Sequence, residues 1–147
     1  MLTVEFDTSG VLTALDRVQS RLRSERAAVL RPIGQDIIAR GHADYIVKSR
    51  GGTGSDGIAW RRLAPSTIRR KRSAVIGFAT GELSAATGDV LDVTSDSVRS
   101  GFGDPHAAAF DAIRPLLPAR LPPAWKRAEE RLVEAWGETI LDQELGT

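Results

Sequence analysis

Few residues of this sequence are equipped for chemistry, and their spacing limits what they could do. Histidine occurs twice, at His42 and His106, far apart and without metal-ligand spacing. His42, near Asp44 and Tyr45 in a helical pattern, reads as a solvated side chain. Cysteine is absent, which removes a thiolate zinc site, a disulfide scaffold and a cysteine nucleophile. Asp89, Asp92 and Asp96 are the carboxylates whose spacing invites a divalent cation. Along a strand and its turn they point in differing directions, so an edge that deters unwanted pairing is the better reading. Gly52-x-Gly54-x-x-Gly57 has the spacing of a dinucleotide fingerprint, which needs a strand before it and a helix directly after it. Here a helical pattern precedes and Trp60 follows, so the fingerprint is rejected. The chain has no Gly-x-Ser-x-Gly elbow, no phosphate loop ending in Gly-Lys-Ser/Thr and no His-Glu-x-x-His. With no nucleophile–base pair to name, it reads as a non-enzyme without catalytic, cofactor or metal residues.

The chemistry that remains is charge. Between Gly57 and Arg72 an indole, Trp60, and two aliphatic side chains, Leu63 and Ile68, are set among Arg61, Arg62, Arg69, Arg70, Lys71 and Arg72. No acidic residue occurs from Ile58 to Gly81. Pro65 suits the first position of a helix, where its missing N–H would be unpaired anyway. Ala64 before it is pushed to the extended conformation of an N-cap. The expectation is an apolar anchor at Trp60 and Leu63, a turn at Pro65, and one or two helical turns with Arg69, Arg70 and Arg72 outward. Farther on, Glu82, Asp89, Asp92, Asp96, Asp104 and Asp111 face only Arg99 in the same stretch. Two patches of opposite sign can pair inside one chain, face different copies in a head-to-tail ring, or simply be solvated.

Elements must hold these groups in place. At 147 residues, with an ordinary apolar fraction, the chain has the size of one domain with one core, spanning 1–147. Leu2 to Phe6 alternates as a short strand. Asp7-Thr8-Ser9-Gly10 signals a helix start, with Thr8 or Ser9 as cap. Val11, Leu15, Val18 and Leu22, with Leu12 beside them, make a helical stripe. Ala28, Val29, Ile33, Ile37, Ile38, Tyr45 and Ile46 continue it, and Pro32 inside the pattern predicts a kink or a fresh start. Residues 48–57 read as a glycine-rich flexible loop. Ala74 to Phe78 reads as a buried strand or turn filler, and Thr80-Gly81-Glu82 as the capped start of one helical turn. Val90, Leu91 and Val93, a turn at Thr94 to Ser97, and Val98 to Gly103 form an antiparallel hairpin. The prolines between Ile113 and Pro123 allow only an edge strand or extended crossover. A last helix starts near Pro123, with Trp125, Leu132, Trp136 and Ile140 on one face, Ala128 and Val133 alongside, and Glu129, Glu130, Arg131, Glu134 and Glu138 over much of the rest. The fold expected is α+β: a long or kinked N-terminal helix pair and a C-terminal helix on a small antiparallel sheet.

Three short motifs carry a resemblance. Trp60-Arg61-Arg62-Leu63-Ala64-Pro65-Ser66-Thr67, with the cations after it, resembles the tryptophan, leucine, proline, serine/threonine, arginine, lysine signature of the phage virion-morphogenesis (tail-completion) proteins. Thr80-Gly81-Glu82-Leu83 is similar to their Thr-Gly-x-Leu element, and Leu117-Pro118-Ala119-Arg120 to their Pro-Ala-Arg motif. The chain departs from the pattern in two places. Ala64 stands where members place Ser or Thr, and 104–110 keeps Ala107 without the family's tyrosine and His-x-x-Gly. Arg120 is left either to pair with a carboxylate or to be solvated.

The resemblance implies a minor structural protein of the virion, made in the host bacterial cytoplasm, that completes the tail at the neck. It would form a homo-oligomeric ring, a hexamer, bound to the head–tail connector and to tail terminator or tail-tube proteins. Genomic DNA would pass through the lumen without sequence readout. Independently of the resemblance, the segment 61–72 also suits a small DNA-binding accessory protein, whose cations contact phosphates while an aromatic stacks on bases. No apolar run approaches the ~20 residues of a membrane helix, so no membrane partner is expected.

Overall fold

A computed structural model describes residues 9–77 and 82–146. The strand expected at Leu2–Phe6 and the capping pair Thr80 and Gly81 lie outside the described residues, as do Thr8 and Phe78. The order of elements is α1 (Ser9–Ser24), α2 (Arg26–Ser49), α3 (Pro65–Lys71), α4 (Glu82–Ala85), β1 (Thr87–Val93), β2 (Val98–Phe102), α5 (Ala107–Asp111) and α6 (Pro123–Leu145). The class is α+β, mostly helical with one small antiparallel sheet. Helix α2 is central: it packs on both strands and on α6, and α1 packs on α6.

The N-terminal pair divides just past Ser24 and not at Pro32, where the pattern predicts a kink or a fresh start. The break falls at Glu25, and α2 then runs through Pro32, which is exposed. Pro32 lies in the second turn of α2, past the four free N–H groups at its start, so it removes one ladder bond without ending the helix. Arg21 clamps the junction: its Nε donates to Glu25 at 2.9 Å, and its Nη1 reaches Glu144 on α6 at 3.0 Å.

The stripe assigned to α1 is rotated. Ala14 and Val18 are buried, while Val11, Leu12 and Leu15 are 61%, 58% and 49% exposed. A small side chain at position 14 suits close helix–helix approach, and apolar spacing alone does not say which edge of a stripe meets the partner. Helix α6 matches expectation at Trp125, Ala128 and Ile140, which are buried. Leu132 and Trp136 are half-buried, but Val133 is exposed and Glu129, expected on the polar side, is buried.

The hairpin pairs Val93 with Val98, Asp92 with Arg99 and Leu91 with Ser100, with an irregularity between Thr87 and Val90. Its turn closes through the Ser97 carbonyl, which accepts the Thr94 amide at 2.9 Å, and through Thr94 Oγ1, which accepts the Ser97 amide at 3.0 Å. Beyond it α5 makes a short helix that the sequence did not announce. The stretch from Ala112 to Pro122 contains no helix or strand, as its prolines require.

The core gathers Tyr45, Trp60, Ile76 and Leu116, with Ile46, Leu63, Leu83, Phe102, Ala107 and Phe110 packed around them. Burying a large aromatic here contributes roughly 3–5 kcal/mol, judged by what its removal typically costs.

Candidate functional site

The segment from Trp60 to Arg72 is built as a hook, with its shank in the core and its charges outside. Trp60 is only 4% exposed. Its ring meets Tyr45 edge-on at 5.3 Å between centroids and Phe110 at 5.2 Å, the T-shaped arrangement that aromatic quadrupoles favour. The indole N–H donates to the Pro115 carbonyl at 3.0 Å, tying the hook to the proline-rich crossover. Arg114 reinforces the tie by donating from Nη2 to the Arg61 carbonyl at 3.3 Å.

Helix α3 forms as its residues dictate. Ala64 sits at the N-cap with φ −63 and ψ 147, Pro65 follows at the first helical position, and Ala64 makes no side-chain cap. Its carbonyl accepts the Thr67 and Ile68 amides at 2.9 and 3.0 Å. The helix stops at Arg72, which adopts the left-handed conformation at φ 55. Leu63 and Ile68 are half-buried.

Of the six cations, Arg61, Arg62, Arg69, Arg70 and Arg72 are exposed, and none is ion-paired within the described residues. Lys71 differs: it is half-buried and its ammonium donates to the Val75 carbonyl at 3.0 Å. It therefore closes the turn after α3 and leaves the outward face to the arginines.

The acidic patch does not form one comparable surface. Asp92 is exposed and stands opposite Arg99 in the hairpin register. Asp96 is exposed and pairs with Arg26 at 3.0 Å. Asp104 is turned inward: its Oδ1 accepts the His106 amide at 2.6 Å and lies 3.1 Å from His106 Nδ1, while its carbonyl accepts the Ala107 amide. That makes it a brace for the start of α5 and removes it from the candidate interaction face. Asp89 belongs to β1, with its side chain outside what is described.

Of the remaining anchor residues, Leu83 and Leu63 both pack on the aromatic core, Pro118 is half-buried and Arg120 is exposed. Arg120 joins no ion pair among the described residues, which favours the solvated reading.

Two charged arrangements escaped the sequence reading. The first overturns the expectation that 48–57 is too glycine-rich to pack. Lys48, fully buried, donates from Nζ to Asp56 Oδ2 at 2.7 Å. Asp44, also buried, accepts the Ser55 amide at 2.9 Å and its hydroxyl at 2.6 Å. The Gly54 amide bonds the Ile58 carbonyl at 2.9 Å, and a Cβ at Gly54 would run into the Lys48 side chain. Burial works against ionisation of Asp56, but the Lys48 ammonium and the Ile58 amide still hold its carboxyl below the usual range. The i, i+4 spacing of Asp44 and Lys48 on one helix, followed by Ser55 and Asp56, was the available signal.

The second lies in the seam between α2 and α6. Glu129 is 8% exposed and neither carboxylate oxygen has a hydrogen-bond partner. Burial, then the neighbouring Asp36 carboxylate, push it up to about 7. Asp36 goes the other way, held down mainly by its hydrogen bond from Arg40.

Tyr45 donates to the Gly77 carbonyl at 2.8 Å, and burial, then the Asp104 charge, push its hydroxyl up to about 12, so it stays a neutral donor. Gly77 has φ 75 and lies so close to the Tyr45 hydroxyl that a Cβ would meet it at 2.5 Å. A cavity of ≈ 310 Å3 lies beside it, lined by the apolar Leu63, Ile76, Leu83 and Phe110 and by the ionisable Lys71, Glu82, Asp104, His106 and Arg114. Among the described residues no cluster of His, Asp and Glu is arranged to hold a metal ion, and no helix is long and apolar enough to cross a membrane. The arrangement as a whole can present positive charge at a fixed place on a rigid body. The chain matches no family model, no curated protein and no solved structure.

Proposed function

We propose that this chain is a structural component of a phage head–tail junction, acting through contacts with copies of itself and with neighbouring virion proteins. The observation that carries the reading is that two of the three resembling motifs meet in one core, with the third beginning close by in sequence. Trp60 and Leu63 from the first and Leu83 from the second pack into one aromatic cluster. The Trp60 N–H reaches the Pro115 carbonyl, two residues before the third motif begins at Leu117. Residues separated by tens of positions thus share one core, as a family's structural signature would.

The exposed faces are consistent with a protomer finished by neighbours. Val11, Leu12 and Leu15 on α1, and Val133, Leu141 and Leu145 on α6, are apolar and between 41% and 61% exposed. Scattered apolar residues are normal on any surface, but runs on one helix face mark contact sites. On this reading the protein completes the tail as a homo-oligomeric ring, a hexamer, between connector and tail-tube or terminator proteins, and performs no catalysis.

Sedimentation and native mass measurement, alone and mixed with connector and tail-tube proteins of the same phage, test it. A discrete ring, or a discrete complex with one of those proteins, is expected. A monomer that stays monomeric with all of them at high concentration overturns the reading.

A further inference from the structure

We infer that the hook's outer face, Arg61, Arg62, Arg69, Arg70 and Arg72, is a phosphate-contacting surface for double-stranded DNA that senses backbone charge and reads no bases. The inference stands whether or not copies of the chain form a ring.

Unspent charge is the first support. These five guanidinium groups are exposed and lack ion-pair partners within the described residues, and unlike other unpaired arginines such as Arg23, Arg31 and Arg120 they are gathered in the single segment 61–72. Lys71, the remaining cation of the segment, is occupied by the Val75 carbonyl. The outward set is thus entirely arginine, whose planar fork matches phosphate oxygens two at a time.

The mode of contact follows from what the hook hides. Its one aromatic ring is 4% exposed and its N–H is taken by the Pro115 carbonyl, so Trp60 cannot stack on an unpaired base or wedge between pairs. The single-strand platform expected from an aromatic among cations is therefore absent here. What remains is charge at a fixed position, held by the bonded turn at Ala64 and the closure through Lys71.

An acidic protein surface is the competing partner, and the composition of the face argues against it. Protein interfaces are enriched in arginine, but set it around a buried centre of apolar and aromatic groups. Of the hook's two large aliphatic groups, Leu63 packs on the inner aromatic cluster and Ile68 is half-buried, so neither stands as an open apolar centre among the arginines. The acidic patch of a second copy is poorly placed to answer, since Asp96 is paired with Arg26, Asp92 faces Arg99 and Asp104 braces α5.

The test is anisotropy of a labelled random-sequence DNA duplex titrated with the full chain over a series of salt concentrations. Each phosphate neutralised contributes about −0.9 to the slope of log K against log salt, so up to five contacts give a slope of about −4 to −5 per protomer. Unrelated duplex sequences should bind equally well. The triple variant Arg69→Gln, Arg70→Gln, Arg72→Gln should flatten the slope by about 3 while its circular dichroism is unchanged. Three results overturn the proposal: no duplex binding at low salt, a slope the variant does not alter, or capture of polyglutamate in preference to DNA. Sedimentation at the same protein concentration reports association of copies separately, so either result can fail without the other.

Discussion

Around Lys48 the buried charges have been met inside the molecule. The ammonium sits against Asp56, Asp44 holds Ser55, and a glycine clears the space for both. A few residues later, from Arg61 to Arg72, five guanidinium groups stand in solvent on a stretch whose aromatic shank is buried in the core. Both stretches begin as polar sequence, and what separates them is where the apolar groups lie. The 48–57 loop contains none large enough to bury, so its order depends on ions drawn in from α2. The hook contains Trp60 and Leu63, so its order comes from packing, and its cations remain free to meet a partner. Ion pairing that builds the fold and charge that is displayed are different uses of the same residue types.

Removing the shank should have the largest effect. Trp60→Ala deletes a buried indole that meets two aromatic rings and strands the Pro115 carbonyl, so a loss of roughly 3–5 kcal/mol is expected in chemical denaturation. Trp136→Ala, at a half-buried position on α6, should lose clearly less. Equal losses would mean that the hook's anchor has no special weight.

The clasp comes next. Lys48→Met leaves Asp56 buried without its partner and should cost about 3 kcal/mol in the same assay. Adding Asp56→Asn removes the stranded charge and should return most of it. If the double variant is as unstable as the single one, the pair is not what orders the loop.

The seam between α2 and α6 offers a third contrast, because there a charge is buried and unmet. Glu129 has a folded-state pKa raised from about 4.5 to about 7 by burial and by Asp36. Its contribution to stability is therefore fully present below pH 4.5 and is lost as pH rises through 7, on the order of 2 kcal/mol. Asp36, held low by Arg40, acts only at the acid end, losing its contribution as pH falls below its ordinary range. Denaturation midpoints measured between pH 5 and 8 should fall with rising pH, and Glu129→Gln should flatten that slope. A slope that persists in the variant would assign it to other groups.

How far this was legible from sequence depends on the range of the forces involved. The hook's backbone was readable because Pro65 and Ala64 act locally, and the hairpin because alternation and its Thr94–Ser97 turn are local too. The clasp was not, since Gly52, Gly54 and Gly57 suggest freedom unless one knows that Asp44 and Lys48 lie beneath them. Glu129 looked solvated for the same reason: its neighbour Asp36 is 93 positions away. Periodicity found a stripe on α1 but could not tell that Ala14 and Val18 would be buried while Val11, Leu12 and Leu15 stay exposed. For the candidate surface, the sequence supplied the basic residues; burial then separated Lys71 and Trp60 from the five arginines, and Asp104 from the acidic set.

The central claim is that the hook's arginines serve contact and leave folding to the shank beneath them. Thermal unfolding of the five-fold variant Arg61→Gln, Arg62→Gln, Arg69→Gln, Arg70→Gln, Arg72→Gln addresses it most directly. Exposed substitutions change stability by only a few tenths of a kcal/mol each, so the midpoint should stay within about 4 °C of the parent. A variant that unfolds 15 °C lower, or never folds, would show these cations to be part of the fold and would contradict the account.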